Sequence, residues 1–332
     1  MPTKTHKNES VGKFGGIAKQ LARVVTVLIL VTFGVTVIVR LLPGDPVTTL
    51  LPFGTPEQHD ALRKELGLDV NIFRYYWSWL IDFVRGDFGQ TYTTVADGGV
   101  AVRDQIALTL PRTLLLMTYT TIVSLIIAIP LGILLAYKAD TKVDRIASNV
   151  LFGFASIPNF AVGLALAYLL GVKFDLLNPV GYVPMTENFA EHVKSMIMPV
   201  TALSIGLIST FTRLLRVDTI STLKEDFVTM ASSKGLSNQW ILWRHVLRPS
   251  SLTLLTSAAL NMGALIGGAV VVETVFAFDG LGTLIAQSIY FRQYLAIQSL
   301  IALVAVAYIL FNLIVDVLYG VIDPRVRSHR GA

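Results

Sequence analysis

Cysteine is absent from all 332 residues. That excludes a disulfide framework, a thiolate metal site and a cysteine nucleophile. Charge is scarce: Asp, Glu, Lys and Arg make up 15% of the chain, against about 25% in soluble domains. A phosphate-binding loop of the form G-x-x-x-x-G-K-[ST] is missing. Gly12-Lys13-Phe14 comes nearest, and it lacks the first glycine and the hydroxyl residue. The chain is therefore expected to hydrolyse no ATP. The histidines, His6, His59, His192, His245 and His329, stand far apart, with no H-E-x-x-H spacing. Each reads as an exposed or interfacial side chain, so neither metal nor cofactor is expected here.

What the chain has is hydrophobic residues, 53% of the total, with a mean hydropathy of +0.64. Six stretches carry no charge: 24–39, 113–137, 146–172, 195–212, 249–272 and 293–315. A membrane helix needs roughly 20 apolar residues. Five stretches reach that range, and the first does so if Arg23 and Arg40 snorkel at its ends. Lipid offers no partner to free N–H and C=O groups, so the stretches should be helical. The predicted fold is an all-α polytopic membrane protein with six spans. No small-x-small cleavage site follows the first apolar run, so a retained signal-anchor helix is expected.

Charge position orients the spans. The N-terminal tail, the loops after spans 2 and 4 and the C-terminal tail hold 17 basic residues. The opposite loops hold 8 basic residues and 14 of the 22 acids. Cytoplasmic loops collect Lys and Arg, which places both termini inside, as an even number of spans requires. The expected division is a tail at 1–20, span 1 at 21–42 and an extracytoplasmic subdomain at 43–110. A five-helix core follows at 111–325, with a cytoplasmic loop at 217–248 and a tail at 326–332.

In the external segment, Thr55-Pro56-Glu57-Gln58 reads as a helix start with a capping box, and Gly67 as its stop. A second helix is predicted over 72–85, ending at Gly86. Its aromatics, including Tyr75, Tyr76, Trp77 and Trp79, suit either an interfacial belt or a docking surface. In the cytoplasmic loop, Asp226 is a predicted cap for a short helix, Phe227 to Lys234. Gly235 fits a left-handed stop, with Leu236 folding back on Met230 or Ala231. Ser237 should cap a second helix through Trp240 and Trp243, with Pro249 at the start of span 5. The segment's own residues read first as an ordinary interfacial helix.

Met230-Ala231-Ser232-Ser233-Lys234-Gly235-Leu236, followed by Arg244-His245-Val246-Leu247-Arg248-Pro249, resembles the cytoplasmic signature of ABC-importer permeases. Several further segments resemble the B-type subunits of the oligopeptide/dipeptide/nickel branch. They are Arg40-Leu41-Leu42-Pro43-Gly44-Asp45-Pro46, Leu110-Pro111-Arg112-Thr113-Leu114, Ser156-Ile157-Pro158-Asn159-Phe160, the run from Glu273 through Phe276, Asp279 and Gly280 to Gly282, and Asp323-Pro324-Arg325-Val326-Arg327. The resemblance covers about residues 18–327. It implies a type I importer permease in a bacterial inner membrane, with Asp226, Phe227, Met230, Ala231, Lys234, Gly235 and Leu236 coupling to an ATPase. It further implies a second permease, two ATPase subunits that bind ATP and Mg, an extracytoplasmic binding protein and peptide cargo. Nickel or another small solute is the alternative cargo. The acidic first residue of the signature is absent, and Arg292-Gln293-Tyr294 stands where Arg-Asp-Tyr is common.

Polar residues inside the spans, among them Thr118, Thr120, Thr121, Ser124, Ser204, Ser209, Asn261 and Asn312, either face a pathway or bond back to their own helices. Asn312 and Asp316 share a face. Gly263 and Gly267, with Gly268 beside them, predict close approach of another helix, with Ala258 on a less constrained turn. Pro130, Gly132 and Pro158 predict kinks, and 274–294 a short outer or re-entrant helix. The spans carry no central Asp, Glu or Lys, which disfavours a stand-alone secondary transporter. No cluster of His, Asp or Glu marks a membrane-embedded enzyme.

Overall fold

The computed structural model describes residues 6–41, 45–91 and 99–322, with side chains omitted at 6–21, 23, 49–50, 65 and 314–322. The motif residues at 42–44 and 323–327, and the Asp316 side chain, lie outside the described set. Two compact units form, Met1–Leu110 with Leu284–Ala332, and Pro111–Thr283. Among the described residues, five helices are long and apolar enough to cross a membrane, and a bent helix pair brings the number to six when it is counted as one span.

In the first unit, α1 (His6–Leu41) packs against α13 (Tyr294–Ile322). Between them in sequence lie α2 (Pro46–Leu50), α3 (Pro56–Glu65) and α4 (Ile72–Val84). The predicted capping box is present: Thr55 accepts from the Gln58 N–H, and the Gln58 side chain accepts from the Thr55 N–H. Gly67 ends the turn with φ +63°. Gln90–Thr91 and Val100–Ala101 form a short antiparallel pair, β1 and β2.

The helix α4 does not stand apart from the spans. Tyr76 and Trp79 are buried against Ala302, Ile29 and Phe33. The Tyr76 hydroxyl meets the Thr32 hydroxyl at 2.9 Å, and the Trp79 indole N–H donates to Ser299 at 3.0 Å. Arg40 does not snorkel freely either. Its guanidinium donates to the carbonyls of Val70 (2.9 Å) and Gly67 (2.7 Å) and lies 4.5 Å from the centre of the Tyr75 ring. Burial pushes the Tyr75 hydroxyl up to about 12, and the adjacent Arg40 charge opposes that shift. The neutral hydroxyl donates to Gln298 at 3.3 Å.

The second unit holds most of α5 (Val102–Tyr137), then α6 (Lys142–Ala155), α7 (Asn159–Leu166), α8 (Phe189–Thr222), α9 (Asp226–Ser233), α10 (Asn238–Trp240) and α11 (Leu247–Val275). The third span breaks where Pro158 predicts it: α6 and α7 meet at 91°. Pro130 sits inside an unbroken α5. Gly132 lets α8 come close, since a Cβ there would meet the Leu215 Cβ at 3.0 Å. With 34 residues, α8 is about 51 Å long at 1.5 Å per residue, well beyond a hydrocarbon core of about 30 Å. Wide π turns occur at Ala167–Lys173 and Ile241–Val246. The second lies just before Pro249, whose ring clashes with a regular α turn and whose nitrogen donates no bond.

The packing expectation for span 5 is reversed. Among the described residues, a Cβ at Gly267 or Gly268 would meet nothing within 4 Å. Gly263 is buried, but the face does not continue to Gly267. Ala258 instead sits in the core with Phe211, Leu215 and Leu254. Ala258→Leu should overpack that cluster, at a cost of about 1–3 kcal/mol, and lower the thermal midpoint of the purified chain in detergent. Gly267→Leu should leave the midpoint unchanged. An equal drop for both variants would contradict this packing.

Candidate functional site: the loop helix at 226–233 and the cap at Glu273

The short helix α9 begins one residue earlier than its sequence predicts. Glu225 is the N-cap and makes no side-chain cap bond, while Asp226 occupies the first helical position. An acid there still favours the positive end of the helix dipole, so the local electrostatics survive although the cap does not. The stop is as predicted. Gly235 has φ +78°, its N–H donates to Ser232 O at 2.9 Å, and the Leu236 N–H donates to Ala231 O at 3.4 Å. This pair of bonds is a Schellman stop, and an L side chain at Gly235 is strained. Lys234 lies at the C-cap.

The helix has two faces. Val228 and Ala231 are buried with Ile241 and Val246, and Leu223 packs on them. Phe227, Met230 (57% exposed) and Leu236 present apolar surface outward, and Lys234 is also exposed. Ala231 is thus a packing residue of this chain. Polar contacts tie the loop to the spans: Asn238 donates to the Tyr137 hydroxyl at 3.2 Å, and the Ser250 hydroxyl lies 2.9 Å from both the Val246 carbonyl and the Thr222 hydroxyl. Ser237 caps α10 as predicted.

The outer motif forms a compact cap within the second unit. Glu273 is fully buried. It accepts from the Thr113 hydroxyl at 2.7 Å and from the Thr283 N–H at 3.1 Å. The Thr113 oxygen in turn accepts from the Leu281 N–H at 2.8 Å. One carboxylate and one hydroxyl thereby satisfy the opening N–H groups of α12 (Leu281–Tyr290). The glycines are steric requirements: a Cβ at Gly280 would lie 2.5 Å from Glu273, and one at Gly282 would lie 2.6 Å from the Val270 backbone. Phe276 is buried, and its ring would lie 3.2 Å from a Cβ at Gly163. Asp279 is exposed, with Arg112 at 3.7 Å.

His192 departs from expectation, being fully buried. It pairs with the Val183 carbonyl at 2.7 Å and the Tyr119 hydroxyl at 3.3 Å. A carbonyl only accepts, so Nδ1 carries the proton, and a neutral ring takes the Tyr119 proton at Nε2. Tyr182 joins this cap, edge-on to both His192 and Phe278 and beneath Arg112.

The polar residues of the spans mostly satisfy themselves. Thr118, Ser124, Ser209, Asn261 and Asn312 each donate to the carbonyl four residues back. Ser204 crosses to Thr120 O at 3.3 Å. These bonds favour the back-bonding alternative over a continuous polar pathway in the chain by itself.

The family described as "Binding-protein-dependent transport system inner membrane component" matches residues 128–328. The chain belongs to this family. Curated relatives extend the likeness over nearly the whole length. The probable peptide ABC transporter permease protein y4tP of Sinorhizobium fredii is 32% identical over 94% of this chain and 98% of its own. The oligopeptide transport system permease protein AppB of Bacillus subtilis is 34% identical over 91% and 96%. The glutathione transport system permease protein GsiC of Escherichia coli is 31% identical over 94% and 98%. Among solved structures, an inward-facing MetNI methionine ABC transporter chain aligns with TM-score 0.55 at 16% identity, covering 66% of this chain and 96% of that one. The likeness to MetNI shows the fold alone; family membership and the curated relatives show an ABC-transporter permease.

Some structural residues of the permease were not singled out in its sequence. Thr113 carried no weight beyond opening a span, although its hydroxyl holds the outer cap together. Asp144 and Arg216 form a two-pronged ion pair at 2.7 and 2.6 Å, with Asp144 buried. The available signal was a pair of acids, Asp140 and Asp144, in a basic loop facing a basic helix end. Gly282→Ala should force the α12 start away from the Val270 backbone and lower the melting temperature of the purified permease. Gly86→Ala provides the comparison. Gly86 has a positive φ, which Gly282 does not, but among the described residues its Cβ would meet nothing within 4 Å, so only the smaller backbone strain of about 1–2 kcal/mol applies. Melting curves of the two variants should separate, with Gly282→Ala lower.

Proposed function

We infer that this permease is one transmembrane half of a peptide importer of the inner membrane, with both termini in the cytoplasm. A second permease would complete the pathway. Two ATPase subunits would bind ATP and Mg, and an extracytoplasmic binding protein would deliver the peptide. The observation that carries this reading is α9. It is a two-turn helix with a buried inner face, an exposed outer face of Phe227, Met230 and Lys234, and a fixed Schellman stop. Such a helix is too short to persist alone in water. Its own chain holds it in place and leaves an apolar surface for a partner. Family membership and the relatives named for peptides, oligopeptides and glutathione support the class of cargo.

In the mechanism that follows, closure of the ATPases upon ATP presses on α9. The motion passes through the Val228–Ala231–Ile241–Val246 cluster to α11, and through Ser250–Thr222 to α8. Met230→Asp would place a charge on the docking face without touching the inner cluster. The variant should fold normally, lose pull-down of the ATPase subunits and lose peptide uptake. Ala231→Arg should instead lower stability, because Ala231 faces inward. Gly235→Val would strain the left-handed stop by about 1–2 kcal/mol or more and re-aim the helix, reducing uptake. Peptide uptake, pull-down and melting temperature measured together test the assignment. Normal uptake by Met230→Asp would leave α9 as an interfacial helix only.

The orientation has its own test. In this cysteine-free chain, a cysteine replacing exposed Asp60 should react with an impermeant maleimide in whole cells, and one replacing Ser237 should react only after lysis. The opposite pattern overturns the topology. The purified permease alone should show no ATP hydrolysis, and turnover should appear when ATPase subunits are added.

A further inference from the structure

Between α6 and α8 lies a cavity of about 280 Å³, closed at one side by Leu135 of α5. It straddles a chemical boundary. Phe152 and Ala155 on its wall belong to the charge-free stretch 146–172, whereas Arg213 and Arg216 follow directly on the charge-free stretch 195–212. The cavity therefore sits where apolar spans meet the basic end of the bundle, at the level of lipid headgroups.

The two arginines differ. Arg216 is neutralised by Asp144 through its two-pronged bond, and Asp144 also accepts from the Asp140 N–H at 3.0 Å. Arg213 has no ion-pair or hydrogen-bond partner among the described residues. The Asn149 amide beside it is likewise unpaired among them. Thr212, 1% exposed and also lining the cavity, has a hydroxyl with no partner among the described residues. A free guanidinium, an amide and an orphaned buried hydroxyl together make an anion site. Lys138, Lys142 and Arg145 add positive potential along the adjoining loop and the start of α6.

The apolar side of the cavity indicates what carries the anion. Phe152 is 66% exposed, and Ile146 and Val150 on α6 are also exposed, so the polar mouth passes directly into an apolar face of the span. Basic pockets between membrane helices suit the headgroups of acidic lipids. We propose that this cavity binds the phosphate of an anionic phospholipid on Arg213, Asn149 and Thr212, with the acyl chains lying along Phe152 and its apolar neighbours. Inorganic phosphate shares the anionic chemistry but lacks the chains. A peptide carboxylate would satisfy Arg213 but gain little from the apolar wall.

The test uses the full-length permease in non-ionic detergent, titrated with phosphatidylglycerol or phosphatidylcholine and read by native mass spectrometry. Wild type should retain phosphatidylglycerol in preference to phosphatidylcholine. Arg213→Gln should weaken that retention by about tenfold or more, as expected for loss of a bond to a charged group. Arg213→Lys should keep most of it. Thr212→Val, which retains volume, should reduce retention by a smaller factor and serves as the readout if Arg213→Gln fails to fold. Excess inorganic phosphate should not displace the lipid. Equal retention of phosphatidylglycerol by wild type and the folded variants overturns the proposal. If uptake by Arg213→Gln falls for peptides with a free C-terminus but not for amidated ones, while lipid retention is unchanged, the site belongs to cargo. Displacement by inorganic phosphate assigns it to a free anion.

Discussion

Lipid cannot hydrogen-bond, and most of this structure follows from that. Every polar group that enters the membrane must bring its partner from within the protein. The spans are helices for that reason. Thr118, Ser124, Ser209, Asn261 and Asn312 turn back on carbonyls four residues earlier for the same reason, whereas the buried hydroxyls of Thr120, Thr121 and Thr212 have no partner among the described residues. Glu273 shows the rule at its strictest. A buried carboxylate costs several kcal/mol unless it is bonded, and here Thr113 and the N–H of Thr283 supply the bonds. The arrangement works in both directions, because the start of α12 also needs acceptors for its free N–H groups. Acid, hydroxyl and helix end satisfy one another, and the glycines at 280 and 282 give them room.

The same constraint explains where regular helix gives way. The chain turns through 91° beside Pro158, where neither a lost N–H nor a ring can be accommodated in a straight helix. Before Pro249 it widens into a π turn instead. The π turn supports the coupling loop: Ile241 and Val246, both in the widened stretch, form the floor on which α9 rests. A single proline thus helps define the base of the surface proposed to meet the ATPase.

Charge is used sparingly. Arg40 and the Asp144–Arg216 pair each hold an extramembrane piece against a helix end, one binding carbonyls of the outer subdomain and the other closing the α5–α6 turn onto α8. The cavity beside Arg213 is the exception, a place where positive charge and hydroxyl are left open at the membrane boundary.

Much of the permease is determined by sequence alone. The charge-free stretches mark the spans because their lengths match the hydrocarbon thickness. Thr55–Gln58, Gly67, Gly235 and Ser237 mark local ends because capping and positive φ depend on only a few neighbouring residues. Chain order points to the break at Pro158, but it points equally to Pro130, which sits inside an unbroken α5, so packing decides which proline interrupts its helix. Tertiary structure decided what depends on residues distant in sequence. Gly267 reads as a contact and meets open space, while Ala258 reads as unconstrained and is packed, because helix rotation is set by neighbours rather than by spacing. Ala231 faces inward for the same reason. His192, Thr113 and Asp144 gain their partners from 9 to 160 residues away, and no local pattern specifies which helix end or loop will arrive there.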